Sequence, residues 1–172
     1  FYIMNLNLNV FDEVIPYSLM DMVLAFCKKS TFRLGWPDGD DTDLNLHSTW
    51  TKDELELTGL IPYFNKCIKN TEWFVKNDLH RIILNVVKSN DVHYIHHHEG
   101  EQVLLYYVNL DWQDGWYGET IFYNPSNIKE VQYTTSFQPG RIILFDGSIP
   151  HAIRPQSIKA PKFRFTLSLF FV

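Results

Sequence analysis

The sequence predicts a mainly β protein in which helices near the amino terminus precede a jelly-roll core, that is, a double-stranded β-helix. Helical spacing of apolar residues is confined to the first half of the 172-residue chain. The second half contains short alternating segments separated by turn-forming residues. Aromatic residues make up 16% of the chain, which favours a β-rich fold with an aromatic-lined interior.

The length suits one domain spanning residues 1–172, and we divide it into two parts. Residues 1–80 are expected to supply a first strand and helical support, and residues 81–172 the jelly-roll core with the functional site. One helix is predicted to begin at Pro16 and to continue to about Lys29. A Thr51–Glu54 capping box then predicts the start of a second helix or helix pair.

Apolar residues alternate with Asn5, Asn7 and Asn9, so the first 15 residues are predicted to form the first strand, whereas the Asp- and Gly-rich residues 33–50 are predicted to form a long loop. Eight short strands in the second half suit a jelly roll. These predicted strands are 81–88, 92–99, 103–109, 119–123, 130–136, 141–146, 151–154 and 163–172.

Charge and composition exclude several classes of partner. A net charge of -5 disfavours binding to a nucleic-acid backbone. We see no signal peptide and no apolar run that approaches the length of a membrane span. Cys27 and Cys67 lack the spacing of metal ligands and resemble reduced core thiols, so we expect an intracellular, cytoplasmic protein.

The segment Tyr-Ile-His-His-His-Glu is the most informative part of the sequence. In a strand, His97 and Glu99 share one face while His96 and His98 share the other. His151, which follows a turn, can supply a third ligand from another strand. The set His97, Glu99 and His151 would form the two-histidine, one-carboxylate facial triad of non-haem Fe(II) oxygenases. A solvated histidine patch is the ordinary alternative.

The opposite register would give His96, His98 and His151, an all-histidine site that suits Zn(II) or Cu(II). We favour His97 with Glu99, because a carboxylate helps to offset the charge of Fe(II). A slip of one residue would invert every face, so both registers stay open.

The last predicted strand places Arg164 and Thr166 on one face. A buried guanidinium beside a hydroxyl is well shaped to hold a carboxylate through paired hydrogen bonds. The alternative is an edge strand whose polar face lies in water.

Five segments, in order, resemble the prolyl-hydroxylase-like branch of the 2-oxoglutarate/Fe(II) oxygenases. They are YIHHHE, LLYYVNLDW, GWYGETIFY, PGRIILFDGSIPHAIRP and FRFTLSLFF. The resemblance covers about residues 81–172. It implies a dioxygenase that hydroxylates a prolyl, peptide or small-molecule substrate and releases succinate and CO₂. It also implies O₂ as co-substrate and ascorbate as reductant.

The resemblance implies roles for individual residues. The ligands implied for Fe(II) are His97, Glu99 and His151. The residues implied for the far carboxylate of 2-oxoglutarate are Arg164, Tyr107 and Thr166.

The sequence differs from the family pattern at three places that could affect the substrate, and it does not identify that substrate. Glu99 stands where the family usually has Asp, and Tyr117-Gly118 replaces a glycine pair. The segment between Glu99 and Tyr107 is also short. We expect the loops 38–43 and 112–117 to frame the mouth of the pocket.

Two other functions compete with the oxygenase. A cupin-like metal protein would use a His-x-His pair, but Glu101 follows His98 too closely for that pattern and Arg164 would have no role. A non-catalytic jelly-roll binding module could use Trp112 and Trp116 as aromatic platforms.

Overall fold

The computed structural model describes residues 6–35, 45–91 and 94–172. The predicted pocket-mouth loop 38–43 lies outside these ranges, as do residues 92 and 93. The helices are α1 (Tyr17–Cys27), α2 (Lys52–Leu57) and α3 (Ile61–Lys69). The strands are β1 (Leu8–Phe11), β2 (Arg33–Leu34), β3 (Leu46–Trp50), β4 (Leu79–Val87), β5 (Gln102–Tyr107), β6 (Thr120–Asn124), β7 (Asn127–Thr135), β8 (Ile142–Asp146), β9 (His151–Ile153) and β10 (Arg164–Phe171).

The strands form two antiparallel sheets. The larger sheet has the order β1-β8-β5-β10-β4-β3-β2, and the smaller has the order β7-β6-β9. Strands distant in sequence are therefore neighbours, as in a jelly roll. The predicted mainly β fold with helices near the amino terminus is confirmed.

The core has two layers because side chains alternate across the large sheet. On one face, Leu84 of β4 and Leu167 of β10 belong to a cluster that also contains Phe64 of α3. On the other face, Ile83 of β4 packs in a cluster with Phe122 from the small sheet. This second cluster fills the space between the two sheets.

The helices start largely where the sequence predicts. Thr51 Oγ1 accepts a hydrogen bond from the Glu54 amide at 3.1 Å, and the Glu54 carboxylate accepts one from the Thr51 amide at 2.7 Å. This reciprocal capping box begins α2, and the predicted second helical region is a pair, α2 and α3. No described helix has the length and apolar character needed to cross a membrane.

Cys27 and Cys67 are buried free thiols, as expected. Burial raises the pKa of the Cys27 thiol to about 12 and that of Cys67 to about 11.

Two predicted elements are wrong. Within the predicted strand 92–99, the described residues form only an isolated bridge between His96 and His151. The predicted loop 33–50 contains β2 and β3, and β3 pairs along its length with β4. Its sequence, LHSTW, places the polar Ser48 between Leu46 and Trp50 on one face and has only His47 and Thr49 on the other, so alternation alone did not reveal this strand.

Candidate metal and carboxylate site

Three imidazoles converge at the edge of the small sheet. His96, His98 and His151 each offer a ring nitrogen, and these atoms all lie within 4.8 Å of one another. Strand β9 begins at His151. The His151 amide donates to the His96 carbonyl at 2.9 Å, and the His96 amide donates to the His151 carbonyl at 3.0 Å. This two-way pairing fixes the register, so that His98 falls on the same side as His96.

A glycine allows the histidine segment to approach the β8–β9 turn. The His98 amide donates to the Gly147 carbonyl at 2.6 Å. A Cβ built at Gly147 would lie 2.4 Å from the His98 carbonyl oxygen and 2.6 Å from that of Glu101. Since both neighbours are backbone atoms, any larger residue would displace the segment that carries His98.

Hydrogen bonds set the tautomer of two imidazoles. His151 Nδ1 lies 2.9 Å from the Ile149 carbonyl, and His96 Nδ1 lies 3.1 Å from the Tyr94 carbonyl. A carbonyl oxygen only accepts, so the proton sits on Nδ1 and the lone pair on Nε2. This is the arrangement found around metal-bound histidines, in which Nδ1–H is held by a backbone oxygen.

Burial keeps two of the imidazoles neutral. It lowers the pKa of His98 to about 3, with smaller contributions from the neighbouring His96 and Arg81. Burial likewise holds the pKa of His151 well below its usual value. Neutral imidazole is the form that binds metal, so burial keeps both side chains in the charge state that a ligand needs at neutral pH.

The structure does not bring His97 and Glu99 to His151. The His97 side chain is 56% exposed and that of Glu99 is 83% exposed, and the two face each other at 3.9 Å. The register favoured from sequence is thus not the one that meets His151. Across the described ranges, the cluster around His151 contains no carboxylate.

Arg164 is a fully buried cation whose two terminal nitrogens make no hydrogen bond to the described residues. Its Nε donates to the Gly118 carbonyl at 3.0 Å. Its Nη1 and Nη2, and the hydroxyl of Thr166, have no hydrogen-bond partner among the described residues. Burial lowers the pKa of Arg164 to about 10, which still leaves it charged at neutral pH. An unpaired buried charge is costly, and an anionic ligand would relieve that cost.

Aromatic side chains surround this guanidinium. The Arg164 Cζ lies 5.2 Å from the Tyr107 ring centre and 5.0 Å from that of Phe137, and the two rings stack at 4.4 Å. Trp112 packs on Phe137 at 4.1 Å. Gly118 leaves room for this packing, because a Cβ there would come within 2.8 Å of Trp112. Trp112 therefore covers the core edge and is not an open platform.

The Tyr107 phenol is already engaged. Its oxygen lies 2.6 Å from Thr120 Oγ1 and 2.8 Å from Thr135 Oγ1. Tyr107, which the resemblance groups with Arg164, lies beside it, whereas neither threonine nor Phe137 was among the predicted site residues. Alternation in the segment that holds Thr120 could have indicated its inward position, whereas nothing local marks Thr135 or Phe137.

Solved structures of low sequence identity share this architecture. No family model matches the chain, and no curated protein sequence matches it. A Pseudomonas putida prolyl-4-hydroxylase aligns with a TM-score of 0.72 at 13% identity, covering 97% of this chain and 93% of its own. A Trichoplax adhaerens prolyl hydroxylase, in complex with a hypoxia-inducible-factor peptide, aligns with a TM-score of 0.68 at 15% identity, covering 96% and 83%.

The chain has the fold of the 2-oxoglutarate/Fe(II) oxygenases. A third similar structure, HygX from Streptomyces hygroscopicus, contains nickel and 2-oxoglutarate; it aligns with a TM-score of 0.69 at 11% identity and covers 96% of this chain and 82% of its own.

The residues present fit a metal and a dicarboxylate. Neutral imidazole nitrogens suit divalent iron, zinc, copper or nickel. The unpaired guanidinium with its neighbouring hydroxyl suits a carboxylate. The one mismatch is chemical, since a third histidine stands where a facial triad has a carboxylate.

Proposed function

We propose that the protein is an Fe(II)- and 2-oxoglutarate-dependent dioxygenase that hydroxylates a prolyl, peptide or small-molecule substrate, with release of succinate and CO₂. The observation that carries this proposal is the unpaired guanidinium of Arg164, buried in the same jelly-roll interior as the histidine cluster. A buried cation with two unused donors is a recognition group for an anion. Because the fold is that of the 2-oxoglutarate/Fe(II) oxygenases, we propose 2-oxoglutarate as this anion.

We assign the metal to His96, His98 and His151. Their convergence and the tautomers of His96 and His151 support this set, whereas the exposure of His97 and Glu99 argues against the other register. The far carboxylate of 2-oxoglutarate is assigned to Arg164 and Thr166.

Tyr107 lines the same pocket. Its ring packs against the guanidinium, and its hydroxyl can turn toward a bound carboxylate only by giving up one threonine contact.

Iron bound with 2-oxoglutarate would supply oxygen activation coupled to decarboxylation, with ascorbate keeping the metal reduced. The chain supplies binding, orientation and a dry environment. Arg164 and Thr166 would hold the far carboxylate of the dicarboxylate, and the aromatic side chains around the guanidinium would exclude water from it. Phe122, Phe145 and Phe170 pack around the His98 and His151 rings and keep water from them.

A peptide is the substrate we place first. The Trichoplax relative is described with a peptide bound. In this chain Tyr117 is 44% exposed, and its ring lies 3.6 Å from the Arg154 guanidinium carbon. It adjoins Gly118, which contacts Arg164, so this aromatic-cationic pair borders the pocket and is suited to contact a substrate.

A second function is favoured by the all-histidine donor set. Three histidines with an open fourth position also suit a zinc protein that does not use 2-oxoglutarate. That function leaves the buried charge of Arg164 without a ligand, which is why we place it second.

Consumption of 2-oxoglutarate distinguishes the dioxygenase from the zinc protein. The protein, loaded anaerobically with Fe(II), should consume 2-oxoglutarate and release succinate when O₂ and ascorbate are added, slowly without substrate and faster with the right one. His151→Ala should abolish this release because one of three metal ligands is lost. Stoichiometric metal binding without consumption of 2-oxoglutarate would favour the zinc protein instead.

A further inference from the structure

Glu101 contacts the Nδ1 side of His98. Its Oε2 lies 2.7 Å from Arg81 Nη2 and 3.9 Å from His98 Nδ1. Its Oε1 lies 3.1 Å from both Arg81 Nε and His80 Nε2. The carboxylate is only 11% exposed, so these contacts hold it in one place.

A hydrogen-bond donor faces Nδ1 of His98, whereas a carbonyl oxygen faces Nδ1 of each of the other two imidazoles. Arg81 Nη2 lies 3.4 Å from this nitrogen, and a guanidinium only donates. In this geometry the lone pair sits on Nδ1 and the proton on Nε2. A protonated Nε2 cannot bind a metal, and a metal at Nδ1 would compete with the guanidinium. His98 must therefore change tautomer before it joins His96 and His151 as a ligand.

We propose that Glu101 is a positioning residue of the metal centre. When a divalent metal binds Nε2 of His98, the Glu101 carboxylate accepts the Nδ1 proton in place of the bond from Arg81. The Nε2 proton leaves to solvent and a solvent proton is taken up at Nδ1, so the imidazole stays neutral throughout. This inference rests on the proposed metal site.

The required movement is small. Glu101 Oε2 has to approach His98 Nδ1 from 3.9 Å to a hydrogen-bond length of about 2.9 Å, a shift of about 1 Å. Arg81 keeps two other attachments, its fork on Glu101 and its stacking on Phe170, where its Cζ lies 3.8 Å from the ring centre. The guanidinium can therefore release His98 without losing its place.

A hydrogen bond to Glu101 would strengthen His98 as a ligand. Three neutral imidazoles leave the full positive charge of a divalent ion in a buried site. A carboxylate hydrogen-bonded to a ligand imidazole raises its basicity and orients the ring. Glu101 would thus orient His98 and strengthen it as a ligand, while the fork from Arg81 holds the carboxylate in place.

Zinc is the probe because it is diamagnetic and needs no turnover. Long-range ¹H–¹⁵N correlation spectra of the imidazoles should show His98 protonated at Nε2 without metal and at Nδ1 with Zn(II). His96 and His151 should be protonated at Nδ1 in both forms. A His98 that keeps one tautomer in both forms would overturn the proposal.

Affinity gives the second readout. Glu101→Gln should weaken Zn(II) binding roughly 10- to 100-fold, the usual effect of losing such a partner. Glu99→Gln, which changes an exposed carboxylate in the same segment, should leave the affinity within about twofold. Thermal unfolding of each metal-free variant reports on folding separately. Wild-type Zn(II) affinity in a folded Glu101→Gln protein refutes the inference alone, whereas absence of Zn(II) binding by the wild type refutes the metal site as well.

Discussion

At the scale of single residues, Arg164 is a buried cation that lowers the stability of the free protein. Its guanidinium is buried with two unpaired nitrogens, which no other cation in the described ranges shows. Such a group is unfavourable in the free protein and favourable only when an anion is bound. Sequence alternation placed Arg164 and Thr166 together correctly. It could not show that the face is buried, because that depends on the opposing sheet.

Arg164→Met should weaken 2-oxoglutarate binding roughly 10- to 100-fold, since a charge-assisted hydrogen bond contributes about 1.5–3 kcal/mol. Metal content should stay unchanged because Arg164 does not join the histidine cluster. Calorimetric titration of the anaerobic, metal-loaded protein measures this. Arg33→Met, at an exposed position in β2, serves as the control. Equal affinity in the Arg164 variant and the control would remove Arg164 from the binding site.

At the scale of elements, the histidine segment shows what alternation can and cannot predict. Alternation correctly separated His96 and His98 from His97 and Glu99. It could not choose between the pairs, because the choice depends on the backbone pairing of His96 with His151. That pairing joins residues far apart in the chain, and no local pattern encodes it. The resemblance favoured the other pair because a carboxylate was expected among the ligands.

Gly147 tests whether this segment must approach the β8–β9 turn closely. Gly147→Ala should lower metal affinity, because the new methyl would meet the His98 and Glu101 carbonyl oxygens and push His98 away. We expect a loss of about tenfold or more, measured by competition with a chromogenic chelator. Ser148→Ala, at the adjacent exposed position, should have little effect. An unchanged affinity in Gly147→Ala would mean that the segment tolerates the displacement.

At the scale of the whole molecule, the sequence predicted the second half well. Seven of its eight strands were predicted within a few residues, because most are rich in β-branched and aromatic residues and end at a turn. The failures were residues 92–99 and β3. Strand β3 is short, and it is defined by its pairing with β4 more than by its own sequence. The order of the strands in the sheets could not be predicted, because it depends on pairing between residues far apart in the chain.

The metal should stabilise the whole fold, because it would join the 94–98 segment to β9 of the small sheet. Zn(II) at about 100 times its dissociation constant should add about 2.7 kcal/mol to the free energy of unfolding. For a chain of this size that raises Tm by roughly 5–10 °C. Scanning calorimetry with and without Zn(II) measures the shift. A similar shift in His151→Ala would show that Zn(II) acts elsewhere.

The most direct test of the metal centre is a matched pair of neighbouring variants, His97→Ala and His98→Ala, assayed for Fe(II) content after anaerobic dialysis and for succinate release. His97 is exposed and His98 is buried in the cluster. We predict that His97→Ala retains about one Fe(II) per chain and wild-type turnover, whereas His98→Ala loses both. Retention of iron and turnover by His98→Ala, with their loss in His97→Ala, would contradict the three-histidine centre.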